Sequence, residues 1–205
     1  MKTINLPIHL DFTYHIKKNG NPKRVFLLLH GYLLDGQFMI DTISDHLPED
    51  SIIIAPNGAF LVPQKKEDRY FPKYSWYFFD PHTKSFYINY DPAAQMLNSL
   101  LVNITKGLPV TIIGYSQGGY IAPKVAELNK DVDTVIGLAC IFRPERFLQR
   151  DIAYHQIHSD ADLVVNYHES KSEFQRLEFK GRFLTLRDEG HKLNASYLKM
   201  LKSLL

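Results

Sequence analysis

The sequence predicts an α/β domain spanning residues 1–205, with a mostly parallel central sheet, helices on both faces and no large cap domain. Two patterns predict it. Short apolar runs bounded by turn residues recur at Val25 to Leu29, Ile52 to Ala55, Val110 to Ile113, Val135 to Ala139, Ile152 to Ile157 and Phe183 to Leu186. Runs of this kind without strict polar alternation suit strands covered on both faces. The second pattern is the helical spacing between them, since strands alternating with helices imply right-handed crossovers on a doubly wound sheet. A chain of 205 residues is long enough to bury one sizeable core.

Taken in order, the first run ends at His30-Gly31, a turn, and the second at Pro56-Asn57-Gly58. From Tyr70 to Tyr90 the alternation breaks, with ten aromatics in 21 residues and Pro72 and Pro81 interrupting any regular element. An ordered excursion over the sheet is expected there, and packing weighs more than a pocket wall or partial lid. Ala93 to Thr105 places Met96, Leu97, Leu100, Leu101 and Ile104 at helical spacing, with Asp91 expected as N-cap and Pro92 as the first helical residue. Gln117 to Asn129 reads as a helix that carries Pro123 in its early turns or is kinked by it. The last helix begins near Asn194 and repeats Leu198, Leu201 and Leu205 on one face.

Composition excludes several classes. The 24 basic and 22 acidic residues are dispersed and give a formal charge of +2, so nucleic-acid binding has no electrostatic support. Cys140, the one cysteine, lies in an apolar stretch and reads as a small buried hydrophobe rather than a reactive thiol. The first residues lack the apolar segment of a signal peptide and no run of 18 apolar residues occurs, so a cytoplasmic protein without a membrane span is expected. A homodimer would form through the aromatic excursion if that region leaves an exposed apolar patch.

The chemistry centres on Gly114-Tyr115-Ser116-Gln117-Gly118-Gly119. Ser116 sits between a strand and a helix, where a sharp turn projects its hydroxyl and the glycines allow close approach of the two elements. The helix start behind it supplies amide donors and a positive dipole end. A serine needs a base, and His191 follows the last apolar run and precedes the terminal helix, at the carboxyl ends of the strands. His9, His15, His46, His82, His155 and His168 lack that position. The orienting acid should lie between serine and histidine in the chain, and Asp162 is preferred over Asp160 and Asp188. Leu29-His30-Gly31-Tyr32 places the Tyr32 N–H, with the Gln117 N–H, as an oxyanion hole, while His30 reads as a structural brace.

With these residues in view the chain resembles the α/β-hydrolases, and more narrowly the phospholipase/carboxylesterase family that includes the acyl-protein thioesterases. The resemblance covers roughly residues 25–205. It rests on Leu29-His30-Gly31, Ala55-Pro56-Asn57-Gly58, Ser75 to Asp80, Gly114 to Gly119, His158 to Val165 and Glu189-Gly190-His191. It implies Ser116, Asp162 and His191 as a triad, with the Tyr32 and Gln117 amides as oxyanion donors and with neither metal nor organic cofactor. Two places depart from the family pattern: Tyr32-Leu33-Leu34 stands where Gly is common, and His158-Ser159 where His-Gly is common. The early antiparallel strands are expected to shrink to residues 7–16. The function implied is cleavage of short- to medium-chain acyl esters, with Leu33, Leu34, Trp76 and Tyr77 lining the acyl site. The alternatives are an acyl-protein thioesterase or lysophospholipase, acting on a small-molecule thioester or lipid, and, in another class, an inactive hydrolase-fold binding protein.

Overall fold

A computed structural model of the chain describes residues 11–18 and 20–205. Seven strands build the central sheet: β1 (Tyr14–Lys18), β2 (Arg24–Leu29), β3 (Ser51–Pro56), β4 (Val110–Tyr115), β5 (Val132–Leu138), β6 (Ala153–Ser159) and β7 (Lys180–Leu186). Their spatial order is β1-β3-β2-β4-β5-β6-β7. β1 runs antiparallel to β3, and every other neighbouring pair is parallel. Residues 7–10 of the expected early strand lie outside the described residues.

Five helices cover the sheet: α1 (Gly36–Ile43), α2 (Asp91–Ile104), α3 (Gln117–Leu128), α4 (Tyr167–Gln175) and α5 (Ala195–Lys202). Along β2, Val25, Leu27 and Leu29 belong to the core on the side of α2, α3 and α4, while Phe26 and Leu28 belong to the core on the side of α1 and α5. That is why the strand shows no polar alternation: both of its faces are core. Leu27, Leu28 and Leu29 are fully buried, each contributing about 2 kcal/mol of transfer free energy.

The observed elements differ from the expected ones for local reasons. β5 begins at Val132, ahead of Val135, because Asp133 accepts two hydrogen bonds from Arg24 at 2.7 and 2.9 Å and Thr134 pairs with Thr111. β7 begins at Lys180 because an edge strand tolerates the polar Lys180-Gly181-Arg182. Asp91, expected as the cap of α2, is instead its first helical residue, and Tyr90 occupies the cap position with helical backbone angles. Pro123 falls in the middle of α3, which continues through it. α1 and α4 carry weak sequence signals: α1 is eight residues long, and α4 buries two of nine, Ser170 and Phe174.

The excursion between β3 and α2 is ordered into three short antiparallel ladders, Phe60–Leu61 with Tyr74–Ser75, Gln64–Lys66 with Arg69–Phe71, and Phe78–Asp80 with Ser85–Ile88. Trp76, Tyr77 and Tyr90 are buried in the core shared with α2 and α3, whereas Tyr70, Phe71, Phe79 and Tyr87 are exposed. No described helix is long and apolar enough to cross a membrane.

Where β2, β4 and α3 converge, glycine is obligatory. A Cβ on Gly118 would lie 2.2 Å from the Leu29 carbonyl oxygen, and one on Gly114 would lie 2.4 Å from the Gly118 carbonyl oxygen. Both obstacles are backbone, so side-chain repacking cannot relieve them. Gly118→Ala is expected to destabilise the fold by about 2–3 kcal/mol, read as a lower urea midpoint at unchanged m.

Candidate active site

Ser116 joins β4 to α3 with φ 49° and ψ −118°. A non-glycine residue with positive φ costs on the order of 1–2 kcal/mol. Here the surrounding backbone imposes it: Ser116 N–H donates to Leu138 O on β5 at 2.8 Å, and Ser116 O accepts from Gly119 N–H at 2.8 Å. His191 Nε2 lies 3.0 Å from Ser116 Oγ, and His191 Nδ1 lies 2.8 Å from Asp162 Oδ2. Three residues far apart in sequence thus form one hydrogen-bonded line at the carboxyl end of the sheet.

The Asp162 side chain is fully buried, and its Oδ1 accepts from the N–H groups of Val164 at 2.8 Å and Val165 at 2.9 Å. Burial pushes this carboxyl up, but the Val165 and Val164 amides and His191 outweigh it and hold Asp162 below the usual carboxylate range. Asp160 is used elsewhere, accepting from Asp188 N–H at 2.9 Å. The His191 ring stacks 5.5 Å from Tyr115, whose hydroxyl donates to His191 O at 2.9 Å and anchors the loop.

A second network shapes the opposite wall. His30 is buried; its Nε2 accepts Gly58 N–H at 2.8 Å, so Nδ1 carries the proton and donates to Gly31 O at 2.7 Å. Burial lowers its pKa to about 4. Trp76 Nε1–H donates to His30 O at 2.9 Å, and the two rings lie 4.8 Å apart. Gln117 accepts from Trp76 N–H and donates to Tyr77 O, both at 2.9 Å. The glutamine after the serine therefore ties the aromatic excursion to α3.

Tyr32 and Gln117 both face the cavity beside Ser116, and among the described residues their backbone N–H groups have no protein acceptor. The cavity measures about 760 Å³, within the range of small-molecule sites. Tyr77 lines it, as the sequence predicts. Three other expected lining residues do not. Trp76 is fully buried because its indole braces His30, Leu34 packs toward the core beneath α1 and α5, and Leu33 lies in the turn that donates to Tyr74 O. In their place Tyr32, Phe78, Phe86, Tyr120, Arg143 and Arg146 contribute walls. The loop after β5 that holds the arginines carries no motif, so no signal in one sequence marks it. His158, fully buried beside Asp162, was visible as a polar residue two positions from Gln156 on a buried strand, a spacing that puts both on one face.

The family model of the phospholipases and carboxylesterases matches residues 14–205. The chain belongs to the phospholipase/carboxylesterase family. Membership makes this phospholipase/carboxylesterase-family chain a carboxylesterase-type hydrolase on the α/β-hydrolase fold. Solved structures of the same fold include esterase PE8, with 19% identity, TM-score 0.74 and coverage of 95% of this chain and 98% of that one. The Zea mays acyl-protein thioesterase 2 gives 17% identity and TM-score 0.74 over 94% and 96%, and the Bacillus cereus carboxylesterase 16% and 0.71 over 94% and 92%. No curated protein sequence matches the chain.

The depressed pKa of His30 gives a pH dependence whose sign is fixed. Between its usual value of 6.5 and about 4, the unfolded chain binds a proton that the folded chain refuses, so stability falls as pH drops through that window. The loss is expected to reach about 3 kcal/mol by pH 4. Asp162 does not confuse the reading, because its own loss begins near and below its ordinary value of 3.8. Urea unfolding at pH 7.5 and 4.5 should show a clearly smaller difference in His30→Gln than in the wild type.

Proposed function

We propose that the chain cleaves short- to medium-chain carboxylic esters through an acyl-Ser116 intermediate. The observation that carries this reading is the unbroken line from Ser116 Oγ through His191 to Asp162, with spacings of 3.0 and 2.8 Å. In this mechanism His191 Nε2 takes the hydroxyl proton as Ser116 Oγ attacks the ester carbonyl. Asp162 holds the ring with Nδ1–H toward itself and stabilises the imidazolium that forms. The tetrahedral oxyanion is received by the Tyr32 and Gln117 N–H groups, whose freedom from protein acceptors suits them to the task. Collapse breaks the bond to the alcohol oxygen, which leaves with the proton from His191. Water, deprotonated by His191, then attacks the acyl-serine; the carboxylic acid departs and the proton returns to Ser116.

The mechanism uses acid–base and nucleophilic chemistry supplied entirely by side chains, and no described residues cluster as a candidate metal site. The acyl or alcohol part would occupy the aromatic cavity, whose volume of about 760 Å³ suits a small-molecule ester. Thioesters, the substrate type in the name of the maize relative, are open to the same acyl-serine chemistry.

p-Nitrophenyl esters from acetate to palmitate provide the test. Hydrolysis is expected to peak between butyrate and octanoate and to fall at least about a thousandfold in Ser116→Ala, with loss of labelling by a fluorophosphonate. Full hydrolysis by the variant overturns the mechanism, and an optimum at palmitate overturns the substrate class.

A further inference from the structure

His158 on β6 is not part of the Ser116–His191–Asp162 line, yet it faces the same carboxylate. Its side chain is fully buried, and its Nε2 lies 3.2 Å from Asp162 Oδ2 and 3.2 Å from Val165 O. Both neighbours can accept but not donate, so Nε2 carries the proton. Nδ1 is then an acceptor, 2.7 Å from Ser170 Oγ on α4, whose single hydroxyl proton is shared between Nδ1 and the Cys140 carbonyl 2.8 Å away. Gln156, two residues back on β6, completes the chain: its Nε2 donates to Ser170 Oγ and to Cys140 O. Burial keeps His158 below the usual histidine range despite the nearby carboxylate, consistent with a neutral donor.

Asp162 therefore accepts from two amides on Oδ1 and from His191 on Oδ2, and His158 Nε2, whose N–H donates to Val165 O, stands 3.2 Å from the same Oδ2 with its positive edge toward the carboxylate. We propose that His158 is a positioning residue for hydrolysis, a neutral second imidazole that, held by Ser170 and Gln156, fixes the Asp162 carboxylate for His191. The inference rests on the proposed triad. It assigns His158 no contact with substrate; its effect passes through Asp162.

Removing the His158 donor would leave more negative charge on Oδ2 to stabilise the imidazolium form of His191, moving the acid limb of the kcat/KM–pH profile to higher pH. Tyr167 on α4 meets the His158 ring edge-on, with centroids 6.0 Å apart, and Tyr115 on β4, Tyr197 on α5 and Cys140 after β5 also face the pair. Burial raises Tyr115, Tyr197 and Cys140, so none of these three ionises in the acid range.

The experiment compares His158→Leu and His158→Gln with the wild type on p-nitrophenyl butyrate. His158→Leu should lower kcat about tenfold with KM changed less than about twofold, and should raise the acid limb by about half a pH unit. His158→Gln, which keeps an N–H donor, should recover most of both. Equal loss in the two variants, or a wild-type kcat and acid limb in His158→Leu, overturns the proposal. Should His158→Leu not fold, 15N-histidine NMR of the wild type decides: an Nε2–H tautomer at His158 is expected, and an Nδ1–H tautomer overturns it. Hydrolysis unaffected by Ser116→Ala would instead sink the triad itself. Hydrolysis abolished by Ser116→Ala but untouched in His158→Leu would sink the positioning role alone.

Discussion

The backbone at Ser116 is the constraint on which the site depends. β4 delivers the chain to the carboxyl edge of the sheet, and α3 must start at once, packed so closely on β2 that Gly118 sits against the Leu29 carbonyl. Only a reversal through positive φ joins the two, and Ser116 accepts it at φ 49°. The strain is small beside the burial of the parallel strands on either side, and it is offset by hydrogen bonds from Ser116 to Leu138 and from Gly119 to Ser116. The proposed chemistry rests on the same geometry. A residue in this turn cannot fold its side chain into the core, so its hydroxyl stands free at the cavity where His191 meets it.

Around that turn the protein buries polar groups in two networks held by pairing, with Gln156 Oε1 in the second left without a partner among the described residues. On one side His30, Gly58, Trp76 and Gln117 link three loops that the chain order keeps far apart. On the other, Asp162 gathers donors from its own loop and from His191, with His158 3.2 Å from the same carboxylate and bonded to Val165 O. An unpaired buried polar group costs roughly 1–3 kcal/mol, so the partners are interdependent: each pairing removes a penalty that its absence would impose. Rigid walls of this kind hold a serine and its partners in register without a bound ligand.

The fold was legible because both core faces of the parallel strands write themselves as apolar runs. All six predicted runs lie in or overlap observed strands, and what failed were edges set by tertiary contacts. Asp133 reads as a turn residue in sequence, but Arg24 makes it part of β5. Ser116, Asp162 and His191 could be named together because their neighbours and chain order constrain them, and the structure brings those three side chains together. The cavity was less legible. Trp76 was expected to face it and instead turns inward to His30, a choice made by one indole hydrogen bond that no periodicity encodes. Arg143 and Arg146 enter from a loop without a motif, and their place appears only once β5 and α3 are assembled.

The aromatic excursion gives the proposed specificity a physical division. Tyr77 and Tyr90, ring centroids 4.6 Å apart, are at once cavity wall and core, so changing either alters packing against α2 and α3 along with the shape offered to an acyl group. Phe79 and Arg146 stand on the outer rim, exposed, with the Arg146 guanidinium 4.9 Å from the Phe86 ring centroid. Substitution there changes what the cavity meets without opening a void in the core. Depth is therefore fixed by residues that stability also requires, while the charge and breadth of the mouth are free to vary.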